Sequence, residues 1–146
     1  MFVNPLNEKP GFVYGILSLG LIKVGVAQDI EKRIHVMRLD NPHELKLVFR
    51  RQSRSPYTLE RQMHRLLADK AVGREWFRAT VEEVRAAAYT ARLETARLET
   101  VYRQKFLIAV AKREKLTRCV KTDGTVSNEI NALVPLSETH IGESVE

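Results

Sequence analysis

Cysteine is nearly missing from this chain and long apolar runs are missing altogether, and each shortage removes a class of protein. A single cysteine, Cys119, in 146 residues excludes an internal disulfide and a metal centre built from cysteine thiolates. No stretch approaches the roughly 20 consecutive apolar residues that a membrane-spanning helix needs, so no membrane segment is expected. The opening residues MFVNPLNEKP lack the basic-then-apolar order of a secretory signal. A cytoplasmic location with a reduced thiol is the expectation. Glycine and proline are also missing from Val81 until Gly124, which leaves nothing to break a helix over 81–118.

Charge is abundant and unevenly placed. Residues 1–80 hold 14 Lys/Arg and 8 Asp/Glu, residues 81–118 hold 9 and 5, and residues 119–146 hold 1 and 5. The overall net charge of +6 therefore understates how basic the body is. A basic body points to a polyanion, nucleic acid first among them. The same division suggests an N-terminal arm over 1–10, a domain over 11–80, a helical extension over 81–118 and an acidic tail over 119–146.

The organising stretch runs from Gly11 to Arg33, GFVYGILSLGLIKVGVAQDIEKR. It reads as two apolar strands, Phe12 to Leu17 and Leu21 to Val26, joined by a tight turn at Ser18-Leu19-Gly20. A helix follows with Asp29 as its N-cap, Glu31 in its first turn, and Ile30, Ile34 and Met37 on one face. Asn41-Pro42 ends it. Such a hairpin packed on a helix can gather Tyr14, Lys23 and Arg33 at one edge, a set suited to a phosphate. Leu45, Leu47 and Phe49 alternate as a third strand, and Arg50, Arg51 and Arg54 follow as a solvent-facing basic run. Ser55-Pro56 opens a second helix reaching about Lys70, with Leu59, Met63, Leu66 and Leu67 as its buried stripe. Glu60 and His64, four apart, flank that stripe beside Arg61 and Arg65. Trp76 and Phe77 read as a short strand or core plug, and Glu75 as structural.

Thr80 and Glu83 are spaced as a capping box that starts the long helix. Val81, Val84, Ala88, Ala91, Thr95, Leu98 and Tyr102 form a heptad-like seam on it. The run FLIAVA, Phe106 to Ala111, is apolar all round and needs cover. That cover comes either from a fold-back onto the domain or from a partner helix, most simply a second copy.

With these pieces in order, the sequence resembles the GIY-YIG nuclease superfamily, in the branch typified by T5orf172 and Mug113-type domains of phages and bacteria. The resemblance rests on Phe12-Val13-Tyr14, on Lys23-Val24-Gly25, and on Arg33 ten positions after Lys23. It continues through Asn41-Pro42, Leu59-Glu60 with His64, and Gly73-Arg74-Glu75-Trp76-Phe77, covering about residues 11–80. It implies an α+β fold: a small α/β sandwich with a short antiparallel sheet and flanking helices, here carrying a long C-terminal helical extension.

The resemblance also implies a metal-dependent endonuclease that hydrolyses DNA phosphodiesters. Glu60 would be the metal ligand for Mg²⁺ or Mn²⁺, and Arg33 the phosphate clamp. Tyr14 would orient phosphate or water, Gly25 would let the backbone approach closely, and His64 is an accessory candidate. Arg50, Arg51, Arg54, Arg61 and Arg65 are the candidate DNA contacts. Lys23 stands where much of the superfamily has a second tyrosine. As an ammonium it is an electrostatic stabiliser unless its pKa is depressed enough to make it the base. Otherwise the base is Tyr14 or a hydroxide carried by the metal. Two rival readings are a DNA-binding module that has lost the chemistry and an assembly subunit that binds a partner through 81–118.

Overall fold

A computed structural model describes residues 4–123 of the chain. The first residues of the arm and the acidic tail from 124 onward lie outside the described residues. The chain divides into two compact units, Met1–Leu98 and Glu99–Glu146.

The first unit is built on the expected hairpin. Strands β1 (Gly11–Ser18) and β2 (Leu21–Ala27) pair antiparallel, with Tyr14 opposite Gly25 and Ile16 opposite Lys23. Leu19 and Gly20 both take positive φ, 50° and 76°. Tight hairpins favour that hand of turn because it matches the strand twist. Helix α1 (Ile30–Asp40) starts where Asp29 accepts a hydrogen bond from the Lys32 amide at 3.0 Å. Ile30 and Ile34 bury its inner face.

Strand β3 (Lys46–Ser53) joins the far side of β1. Its register slips between Gly15 and Ile16, so the simple alternation over Leu45, Leu47 and Phe49 fails: Leu45 and Phe49 are buried while Leu47 and Val48 are half-buried. The strand also continues through Arg50, Arg51 and Gln52, so the first two arginines of the basic run lie in the sheet. Arg50 pairs with Tyr14 and Arg51 with Val13, which sends the two arginines to opposite faces of the sheet. Arg50 is exposed and Arg51 half-buried, so no single solvent-facing patch forms there.

Helix α2 (Pro56–Leu66) ends sooner than its sequence suggests and is followed by a 3₁₀ turn at Ala68–Lys70. Leu59, Met63 and Leu67 are buried, but Leu66 is exposed, because the stripe narrows as the helix gives way to that turn. Ser55 does not cap the helix with its side chain; its hydroxyl donates to the Pro5 carbonyl at 2.8 Å. The cap comes from the arm instead. The Glu8 carboxylate accepts from the Tyr57 amide at 2.8 Å, the Thr58 amide at 3.0 Å and the Thr58 hydroxyl. A carboxylate there satisfies donors the first turn leaves open and complements the helix dipole.

Strand β4 (Trp76–Phe77) adds to the outer side of β2, giving the order β3-β1-β2-β4. Phe77 is core, whereas Trp76 is only half-buried because it lies on the edge strand. Helix α3 (Val81–Asp123) follows, opened by the expected capping box: Thr80 N to Glu83 at 2.8 Å and Glu83 N to Thr80 at 3.1 Å.

On one sheet face Tyr14 and Ile16 of β1, with Leu45 just before β3, pack against Ile30 and Ile34 of α1. The other packs Val13, Ile22, Val24 and Phe49 against Leu59 and Met63 of α2 and Val84, Ala87, Ala88 and Ala91 of α3. The first turns of α3 are thus domain core. Thr95 is buried there as well, its hydroxyl satisfied by the Ala91 carbonyl at 2.8 Å. In the second unit the described residues are the remainder of α3. The helix is unbroken through the FLIAVA run, and Phe106, Leu107 and Ile108 are exposed along it. Their expected burial by a fold-back is therefore not found among the described residues.

Candidate functional site at the outer edge of β2

β4 is so short that it covers β2 only at Ile22 and Lys23. Past that point two other groups engage the β2 backbone. The Val24 amide donates to the Glu75 carbonyl at 3.0 Å, and His64 Nε2 meets the Val24 carbonyl at 3.0 Å. A carbonyl only accepts, so this contact assigns the proton to Nε2. Side chains from both sheet faces reach this edge.

On the α1 face lies Tyr14, fully buried on β1, whose hydroxyl accepts a hydrogen bond from Arg33 Nε at 3.4 Å. That bond is the main reason the guanidinium is held even more firmly in its charged form, with Glu75 adding to the effect. Gly25 faces Tyr14 across the hairpin. A Cβ there would sit 2.6 Å from the Tyr14 hydroxyl and 2.8 Å from ring carbon Cζ. The bare backbone at Gly25 therefore makes room for the tyrosine ring, and the expected close approach is an approach by the protein's own side chain.

Lys23 lies on the same strand face two positions away. Its ammonium pairs with the Glu75 carboxylate and sits 5.8 Å from the centre of the Trp76 ring. The Lys23 bond is the largest of the effects that hold the Glu75 carboxyl below its usual range; His64 and Arg33 act the same way. Glu75, read as structural from sequence, is thus a hub of this cluster. A signal for it was present: Lys23 is the one charged side chain in residues 11–27, and a cation on an otherwise apolar strand calls for an anion.

From the other face, α2 brings Glu60 and His64. Glu60 Oε1 stands 3.7 Å from His64 Nε2, and His64 rests edge-on against Phe77 with ring centres 5.1 Å apart. Burial raises the Glu60 carboxyl above its ordinary value; the Glu75 charge adds to that, while His64, Lys23 and Arg61 oppose it. Three successive β2 positions thus carry the cluster: Lys23 with Glu75, Val24 with His64 and its neighbour Glu60, and Gly25 with the Tyr14 hydroxyl that holds Arg33.

Arg50 stacks over Phe12 at 5.3 Å and pairs loosely with Glu31 at 3.6 Å, while Arg54, Arg61 and Arg65 are exposed. Among the described residues no cluster of three or more His, Cys, Asp or Glu could cage a metal. The donor chemistry fits a cation held by a single protein carboxylate. Glu60 is a hard oxygen donor, half-buried, with the His64 ring 3.7 Å from its carboxylate. Bound water and phosphate oxygens would complete such a shell.

No helix among the described residues is long and apolar enough to cross a membrane. No curated protein and no solved structure matches the chain. A family model does, over residues 11–92, which takes in all four strands, the Arg33 and Glu60 helices and the buried first turns of α3. The chain belongs to the T5orf172 domain family.

Proposed function

We propose that the domain is a metal-dependent DNA endonuclease with its active centre at the outer edge of β2. Membership of a family found in nuclease-like proteins supports a DNA-related role. The observation that carries the finer reading is that Lys23 with Glu75, His64 with Glu60, and Tyr14 with Arg33 engage three successive positions of β2, where β4 stops covering it.

In this reading Arg33 binds the scissile phosphate through its guanidinium fork, steadied by the Tyr14 hydroxyl through Nε. The Tyr14 oxygen accepts in that bond, so its own hydrogen remains to be donated to a phosphate oxygen. Lys23 acts as a cation. Its ammonium is engaged by Glu75 and carries no lone pair to accept a proton, so it stabilises developing negative charge. Glu60 would hold Mg²⁺ or Mn²⁺, beside a His64 ring anchored through Nε2 to the Val24 carbonyl. The ion when bound supplies Lewis-acid stabilisation at the leaving oxygen. Burial leaves the Glu60 charge poorly compensated in the protein alone, which favours capture of a cation.

Relaxation of supercoiled plasmid DNA tests this reading. Nicking that requires Mg²⁺ and disappears in both Glu60→Gln and Arg33→Ala is expected. Nicking that survives either substitution sinks it. Retention of DNA without nicking would favour a binding module instead.

A further inference from the structure

We infer that the distal part of α3, from Arg103 to Arg118, is a second surface for the DNA backbone. The choice of DNA as the polyanion rests on the reading above; the need for a polyanion rests on the helix itself. Between Val81 and Leu98 the helix carries three Lys/Arg and three Asp/Glu, the balanced mixture of an ordinary solvated helix. Between Arg103 and Arg118 it carries six of the first and one of the second, Glu114. All six cations are exposed: Arg103, Lys105, Lys112, Arg113, Lys115 and Arg118. This excess of five positive charges within sixteen residues makes the stretch strongly basic and favours a polyanionic partner.

Three occupants compete for such a helix. A bilayer surface requires one apolar face, but the exposed Phe106, Leu107 and Ile108 are consecutive and therefore about 100° apart around the axis. A second copy would use the heptad-spaced seam Tyr102, Phe106, Ala109, Arg113, Leu116 and Val120. That seam contains a cation, and Lys105 and Lys112 flank it, so two copies would bring like charges together. Duplex DNA suits the pattern. A major groove about 12 Å wide admits one helix and presents phosphates on both sides of it, so cations around the whole girth find partners. The stretch is roughly 24 Å long at ~1.5 Å per residue, enough to pass several phosphates. Contacts of this kind would hold DNA without reading its sequence.

The test is equilibrium binding of the full chain to a fluorescent duplex, without divalent metal, between about 50 and 200 mM salt. Each phosphate contact contributes about 0.9 to the slope of log affinity against log salt. The variant R103Q/K105Q/R113Q/K115Q is expected to lose roughly 3–4 from the magnitude of that slope, equally on unrelated sequences. Circular dichroism should show its helix content retained. The charge-preserving variant R103K/R113K should keep the wild-type slope. An unchanged slope in the quadruple variant overturns the inference. So does binding to phosphatidylserine–phosphatidylcholine vesicles that exceeds duplex binding at equal salt and is lost in the same variant. A chain that nicks no plasmid yet shows the expected slope change would end the endonuclease proposal and uphold this one.

Discussion

The outer edge of β2 and the distal half of α3 use the same residue types to opposite ends. At the edge, charges of both signs answer one another, Lys23 to Glu75, Arg33 to Tyr14 and Glu60 to His64, and all but the exposed Arg33 are half-buried. Along distal α3 one sign prevails and every charge faces water. Desolvation makes a few placed groups strong in the first region, whereas in the second only number and screening count. Positioned chemistry and unspecific attraction are therefore told apart by burial and sign balance.

The comparison breaks most visibly in catalysis. Removing one preorganised charge from a transition-state site costs about 10²–10³ in rate. Arg33→Ala and Glu60→Gln should each lower single-turnover cleavage by that order, while substitutions in distal α3 should weaken DNA binding in a salt-dependent way. Equal losses from both regions, measured at saturating protein, would dissolve the distinction.

Next in size is Gly25→Ala. The new methyl group would overlap the Tyr14 hydroxyl at 2.6 Å, an overpacking cost of about 1–3 kcal/mol. Tyr14→Phe should give little relief, because Cζ still lies 2.8 Å from the added atom. Urea unfolding midpoints of the two variants and their combination check this.

Proton linkage gives a sharper contrast within the edge itself. Burial raises the Glu60 carboxyl, so its ionised form destabilises the fold at neutral pH. That penalty is relieved as pH falls through the raised folded value toward the ordinary carboxylate range. Glu60→Gln should therefore be more stable than wild type at pH 7 without metal, and the gain should shrink on acidification. Glu75 has the opposite sign. Its carboxyl is held low, chiefly by Lys23, so its contribution is present above the ordinary carboxylate value and lost as pH falls through the depressed one. Thermal unfolding against pH distinguishes the two variants, Glu60→Gln and Glu75→Gln.

The smallest effect belongs to the open surface. Glu31→Ala removes the Arg50 partner from a pair more than half exposed on both sides, and should shift stability by no more than about 0.5 kcal/mol. A larger shift would mean that exposed charges here are less solvated than the contrast requires.

What the sequence made legible was local. The hairpin, the Asp29 cap and the Thr80–Glu83 capping box depend on neighbours within a few positions, and the structure forms all three. What escaped depended on distant partners. Glu8 caps α2 from about fifty positions away, and Glu75 gains its role only when β4 pairs with β2. The register slip opposite Gly15 and Ile16 could not be read from alternation, since an extra residue inverts the faces that follow. Among the candidate residues, Tyr14, Lys23, Arg33, Glu60 and His64 engage the edge of β2 directly or through a neighbour, while Arg50 and Arg51 leave the sheet on opposite faces.

The central claim is that Arg33 and Glu60 act on the same phosphate. A double-mutant cycle on single-turnover cleavage with Arg33→Ala, Glu60→Gln and their combination tests it directly. Groups that work as a unit are strongly non-additive, so the double variant should be no slower than the slower single variant. Losses that multiply would place the two side chains in separate tasks and contradict the account.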